Sequence, residues 1–234
     1  NVYYIVLDHY PRNDIFNKVY NFDNTPFHEE LKELGYQIAN NSISNVIGTD
    51  TNMSVVFDMS LDMGKKLLQN DLYNLGYWQK GKTKVHEIFK KIGYKNIVSI
   101  DNTLQGAPCN KFNLSKTNFD RCIVKKVQIS ELEVNFLKAT PIIDFFGKFF
   151  PSLFSYRFLY LDFINKHLED VVSSYDNFFF YVHLLIPHPP PKYNPRCKKK
   201  IDNYEMNIVD SYFSEEAKKS LLEDVKCLNK DILI

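Results

Sequence analysis

Several features that would point to common function classes are missing from this 234-residue chain. Its four cysteines, Cys109, Cys122, Cys197 and Cys227, contain no C-x-x-C pair, which removes the zinc-ribbon reading. No run of 18 apolar residues and no signal-peptide pattern occurs, so no membrane span is predicted within this segment. Charge of neither sign prevails: the formal net charge is +1, and no global attraction to nucleic acid follows. The one dense basic run, Arg196 to Lys200, is short and reads as a solvated loop rather than a binding patch. Glycine is scarce, at 8 residues, and carries no functional reading.

What remains is a chain that is 44% hydrophobic and 24% charged, enough for one sizeable core or one domain with an appendage. It starts at Asn1 inside an apolar run and ends inside a helix-like pattern, so a segment of a longer protein is expected. Cys109 and Cys122 can close a disulfide in an exported protein, and their positions alone do not decide it.

Val2 to Leu7 is a continuous apolar run, β-branched and aromatic, and predicts a strand buried on both faces in a parallel sheet. Thr25-Pro26 reads as a helix start, cap residue first and proline at the first helical position. Phe27, Leu31 and Leu34 then share a helical face, Gly35 ends the helix, and Tyr36 to Ala39 is expected to open a second strand. A second αβ unit follows: a stripe of Val85, Ile88, Phe89 and Ile92, a stop at Gly93, and a strand over Ile97 to Ile100. Leu132 to Val172 is helical, apolar and aromatic-rich, interrupted by Pro141, Asp144, Lys148, Pro151 and Arg157. It reads as a helical insertion packed on the sheet (residues 129–175), with a membrane-surface helix as the alternative. Asn177 to Ile186 is a long apolar strand, and Glu215 to Asp231 a closing helix. The fold class expected is therefore α/β, a mostly parallel central sheet flanked by helices, with no linker dividing the chain.

In open α/β sheets ligands gather beyond the carboxyl ends of the strands. The first strand delivers Asp8 and His9; the second runs into Asn41, Ser42, Ser44, Asn45 and Thr49; the last delivers His183 and, past Pro187, His188. A carboxylate, a hydroxyl at a helix start and imidazoles suit a metal ion with a nucleophile. Each also has a plain reading. Asp8 suits a turn, Thr49, Asp50 and Thr51 suit a helix N-cap, and His183 suits a satisfied core position. The prolines after His188 read as a rigid turn, or as a polyproline ligand for a partner domain.

The stretch Val2-Tyr-Tyr-Ile-Val-Leu-Asp8-His-Tyr10-Pro-Arg12-Asn-Asp14 resembles the first strand and loop of sulfatase-domain membrane proteins of the alkaline phosphatase–sulfatase superfamily. So do Tyr20-Asn-Phe-Asp23-Asn24, Gly35-Tyr36, Ala39-Asn-Asn41-Ser42-Ile-Ser44-Asn45 followed by Thr49, and His183-Leu-Leu-Ile-Pro187-His188-Pro189-Pro190. The closing helix around Leu222 to Ile232 is similar to the helix before the family's last metal-binding strand.

The resemblance implies the N-terminal part of one alkaline phosphatase-like catalytic domain over residues 1–234. It implies Asp8 as a metal ligand, Thr49 as both nucleophile and metal ligand, and His188, His183, Asn45 and Arg12 as substrate-binding residues. One divalent ion (zinc, manganese or magnesium) is the implied cofactor, and the substrate is a phosphate or sulfate ester borne by a lipid or glycan. Threonine cannot be converted to the formyl aldehyde of sulfatases proper, so the site is closer to the lipoteichoic acid synthase and phosphoethanolamine transferase branches. Those act outside the cell, which implies a membrane-anchored protein with its anchor outside this segment and its catalytic domain on the periplasmic or extracellular side. Two departures stand out. The family's Asp-His-Gly motif does not occur, which leaves this segment by itself expected to be inactive, and His9 replaces a small residue beside Asp8. A non-catalytic relative binding a glycan or lipid headgroup is the alternative.

Overall fold

The computed structural model describes residues 1–44, 46–61, 81–100, 117–124, 161–189, 191–199 and 214–233. Among these the chain forms a four-stranded, all-parallel sheet and six helices, an α/β architecture. The chain divides into two compact units that interleave along the sequence.

The first unit comprises Asn1–Val6, Ile43–Lys125 and Asp162–Leu184. It holds β1 (Val2–Leu7, up to its last residue), α3 (Thr49–Asp58), α4 (Lys84–Lys91), β2 (Lys95–Ile100), β3 (Arg121–Cys122), α5 (Leu161–Ser174) and β4 (Phe178–Leu184). Strand order is β1-β4-β2-β3. Between β2 and β4 the register runs from Lys95 opposite Phe178 to Ile100 opposite His183, and Ile97 and Val98 of β2 oppose Arg121 and Cys122 of β3. Every residue of β4 is buried, as an apolar run central in a parallel sheet requires. Its Phe179 stacks on Phe89 of α4, ring centroids 4.4 Å apart, within a core of Met53, Phe57, Val98, Ile100, Phe119 and Tyr181. Burying each such side chain stabilises the fold by about 1.5–3 kcal/mol.

The expectation for β1 needs correcting. Among the described residues it is an edge strand, with Tyr3 45% and Ile5 52% exposed, rather than buried on both faces. Apolar composition marks a parallel strand but does not distinguish a centre from an edge; the neighbour on each side decides that. Of the expected insertion, residues 129–160 lie outside the described residues. Leu161–Ser174 is helical, with Ile164 and Val171 buried.

The second unit comprises Leu7–Ser42, Lys126–Leu161 and Leu185–Ile234. Its described helices are α1 (Asn13–Tyr20), α2 (Thr25–Glu33) and α6 (Glu215–Ile232), with a small core of Phe16, Leu221 and Val225. α6 starts as its sequence dictates: the Ser214 hydroxyl accepts from the Ala217 N–H at 3.1 Å, and Glu215 and Glu216 lie at the positive end of the helix dipole. The start of α2 differs from expectation by one residue. Asn24 takes the cap position without a side-chain cap bond, because its amide is engaged elsewhere, and Thr25 N–H instead donates to Asp23 Oδ1 at 3.0 Å. Gly35 ends α2 at φ +91°, its N–H reaching Lys32 O and that of Tyr36 reaching Leu31 O, a helix stop that favours glycine.

No strand follows Gly35, contrary to expectation: residues 36–39 are irregular. The same Gly-Tyr stop at Gly93-Tyr94 does lead into a strand. There the Lys95 N–H finds Asn177 O at 3.0 Å and an unbroken Ile97-Val98-Ser99-Ile100 run is buried, whereas Tyr36 is 62% exposed. No helix among the described residues is long and apolar enough to cross a membrane.

Candidate functional site

Adjacent parallel strands release their carboxyl ends side by side. β1 and β4 are neighbours, and the residues that follow them are Asp8-His9 and Leu185-Ile186-Pro187-His188. The imidazoles of His9 and His188 meet edge to face, with ring centroids 4.9 Å apart and planes at 77°. His9 adopts φ +68°, the left-handed region, uncommon for a non-glycine residue and often found where a side chain is aimed for a purpose. His188 Nδ1 lies 2.7 Å from Pro189 O. A carbonyl only accepts, so Nδ1 carries a proton. Burial holds the His9 pKa below the ordinary histidine value, the His188 ring lowers it further, and the Asp8 charge opposes both.

Tyr10, directly after this pair, is locked in a closed ring of hydrogen bonds. Asn24 Nδ2 donates to its hydroxyl at 2.8 Å, the hydroxyl donates to Asn229 Oδ1 at 2.6 Å, and Asn229 Nδ2 donates to Asn24 Oδ1 at 2.8 Å. Burial raises the Tyr10 pKa to about 12 against the smaller pull of these amides.

Arg12 is engaged by its own loop. Nε and Nη2 grip Asp14 at 2.6 and 2.9 Å, and Nη1 donates to Ser42 O at 2.8 Å. The Arg12 bond holds the Asp14 pKa at about 2. Arg12 thus ties the loop after β1 to the Asn41-Ser42 stretch.

Thr49 and His183 lie in the first unit, whereas Asp8, Arg12 and His188 lie in the second. Thr49 is the first residue of α3, half-buried, with Gly48 at the cap position (φ +88°) and the Gly48 carbonyl accepting from Asn52 N–H at 3.0 Å. It therefore stands inside the helix start rather than capping it. His183 is fully buried near the end of β4, its Nδ1 3.1 Å from the Tyr181 hydroxyl on the same strand face. Asn45 lies outside the described residues.

Asp8 and two imidazoles are donor types that a divalent cation accepts. Among the described residues, however, no group of three or more His, Cys, Asp or Glu side chains is placed to hold a metal ion. The donor chemistry matches while a closed ligand set does not form from these residues alone.

Several engaged residues carry no strand-end signal, and strand-end reasoning does not reach them. Asp224, Cys227 and Asp231 are spaced i, i+3, i+7 on one face of α6, and all three reach the segment after His188. Asp224 accepts from the Lys192 and Tyr193 N–H groups, Tyr193 OH donates to Asp231 Oδ2 at 2.5 Å, and Cys227 is bonded to Cys197. That periodicity is visible in the sequence, but the partners become apparent only in three dimensions. Cys122 is also disulfide-bonded, and Cys109 lies outside the described residues. Compared with known proteins, the chain matches no protein-family model, no curated protein and no solved structure.

Proposed function

We propose that the chain belongs to a metal-dependent enzyme that transfers or hydrolyses a phosphate or sulfate ester through Thr49, as the resemblance to sulfatase-domain membrane proteins implies. The observation that supports this reading best is the His9–His188 pair beside Asp8, formed after neighbouring parallel strands. A strained imidazole in ring contact with a second one of fixed tautomer is costly to keep unless the arrangement is used. Thr49 at the first turn of α3 adds a hydroxyl where helix N–H groups favour an anionic phosphoryl group.

In this reading the Thr49 Oγ–P bond forms as the ester P–O bond breaks, and the threonine proton leaves with the departing alcohol. An acceptor hydroxyl or water then attacks phosphorus. Its oxygen joins phosphorus as the Oγ–P bond opens, its proton returns to Thr49 Oγ, and His188 would contact the phosphate or leaving group, as the resemblance implies. A divalent ion at Asp8 and Thr49, zinc, manganese or magnesium, would supply charge stabilisation. His183, buried on Tyr181, has a supporting part, and Arg12 acts through the loop it holds. Disulfide-bonded Cys197, Cys227 and Cys122 favour an oxidising compartment, in keeping with a catalytic domain outside the cytoplasm and a membrane anchor elsewhere in the protein.

Two measurements test the reading. Incubation of the full-length protein with a phosphate ester and each metal in turn should leave phosphate on Thr49 by mass spectrometry, and Thr49→Ala should abolish it. Metal analysis should find one bound divalent ion, lost on Asp8→Ala. Neither phosphothreonine nor bound metal would leave the alternative, a sulfatase-like module that binds a glycan or lipid headgroup without chemistry.

A further inference from the structure

Lys192 has no exposed surface and is among the largest fully buried side chains. An ammonium taken out of water is costly unless its hydrogens are bonded. Its Nζ reaches back four residues and donates to the His188 carbonyl at 2.8 Å. The local sequence explains why this donor is needed. Residues 189–191 are all proline and have no N–H to offer. The next N–H, that of Lys192 itself, is spent on Asp224, donating to both carboxylate oxygens at 2.9 and 2.8 Å, and Tyr193 N–H adds a third bond at 2.8 Å. Across this proline run the Lys192 side chain is therefore the nearby donor that reaches the His188 backbone.

Asp224 is itself fully buried on α6, so a helix-borne carboxylate fixes the backbone at residues 192–193 and the Lys192 side chain carries that hold to His188. Beyond it the same segment is secured to the same helix by Tyr193 on Asp231 and by Cys197–Cys227. We propose that Lys192 is a positioning residue for His188. Its buried ammonium holds the His188 carbonyl, and thereby fixes the tautomer and ring position that His188 presents to His9. The catalytic meaning rests on the reading of His188 as a contact to the substrate's phosphate or leaving group in ester transfer; the positioning does not.

The test uses the whole chain with 15N-labelled histidine and long-range 1H–15N correlation spectra. In the native protein His188 should show the Nδ1–H tautomer alone. Lys192→Met fills nearly the same volume and removes only the donor, so it should convert His188 to a mixture of both tautomers and shift the His9 ring signals. Tyr193→Phe removes a bond of the same segment to α6 and should lower stability without changing the His188 tautomer; a change there of the same size would make the effect general loosening and overturn the proposal. An Nδ1–H tautomer undisturbed by Lys192→Met would overturn it directly. Should Lys192→Met not fold, Lys192→Gln, one bond too short for the carbonyl, carries the same expectations. A tautomer that shifts while Thr49 never takes up phosphate would keep the positioning role and discard the ester-transfer reading.

Discussion

The Tyr10 hydroxyl donates to Asn229 Oδ1 over 2.6 Å, joining residues 219 positions apart. Tyr10 follows the Asp8-His9 dipeptide and Asn229 sits on α6, so this bond, closed into a ring by Asn24, holds the turn after β1 against the last helix. In Tyr10→Phe the two asparagines keep their mutual bond but each loses a partner. A loss of about 1–2 kcal/mol is expected, at the lower end for buried polar groups left short of a partner. Urea unfolding should show it as a lower midpoint at unchanged slope; a change under about 0.5 kcal/mol would mean the ring is wet or absent in solution. The raised Tyr10 pKa adds a sign. The folded state favours the neutral phenol, so this contribution is intact below pH 10 and is lost as the pH rises toward 12.

His86 supplies a second pH dependence, at the acid end and in the first unit. Its ring lies among Phe57, Phe119 and Phe179, with centroids 5.1, 5.2 and 5.6 Å away. Nδ1 is 2.6 Å from the Thr83 hydroxyl, Nε2 has no hydrogen-bond partner among the described residues, and burial depresses the pKa to about 4. The unfolded chain takes up a proton near pH 6.5 that the folded chain resists until about pH 4. Stability from this group is therefore complete above pH 6.5 and falls on acidification, by roughly 3 kcal/mol over the interval. Carboxylates contribute a slope of the same sign, so the diagnostic is the difference between proteins. His86→Phe should flatten the dependence of the urea midpoint between pH 6.5 and 4, and an unchanged slope would remove His86 as its source.

Elements with an unbroken apolar run or a clear helical stripe can be read from the sequence: β2, β4, α4 and α6 all fall where expected. What fails is information that resides in a neighbour. Gly35-Tyr36 and Gly93-Tyr94 are the same local stop, and the second leads into a strand because Asn177 and β4 are there to receive it. The edge position of β1 and the Asn24 cap have the same origin, since one depends on strand order and the other on where the Asn24 amide is drawn. At the candidate site, Asp8 and His188 are legible as strand-end polar residues. The His9 contact, the Lys192 hold and the Asp224 anchor are not, because no spacing rule connects residues 9 and 188 or 192 and 224.

The Cys197–Cys227 bond closes a 30-residue separation and joins the segment after His188 to α6. By loop-closure entropy a bridge of this span is worth about 3–4 kcal/mol, an upper range because the Asp224 and Asp231 contacts already restrain the same segment. Replacing both cysteines with serine should lower the unfolding midpoint accordingly. Adding reductant should lower the midpoint of the native protein more than that of the double variant, in which only the Cys122 disulfide remains to be opened. Equal midpoints for the native protein and the double variant without reductant would show that the bridge adds nothing to the hold on this segment.

His9 allows stability and function to be separated within one residue. Its φ of +68° is unfavourable for a β-branched or ring-bearing side chain and free of cost for glycine. His9→Gly removes that strain, worth about 1 kcal/mol, and gives up the contacts of an exposed ring, that with His188 among them. Stability should therefore hold or rise slightly, measured as the denaturant midpoint. If the His9–His188 pair serves the chemistry, the same substitution in the full-length protein should slow turnover of a phosphate ester by about 10²-fold, the scale of a lost proton-transfer or charge-stabilising group. His9→Asn, which also tolerates the left-handed region, should match the glycine variant in stability and in lost rate. Full activity in both would mean that the ring at position 9 is an accident of packing. A large loss of stability in both would mean that it is retained for the fold, and that the left-handed turn is held by the imidazole rather than endured for its sake.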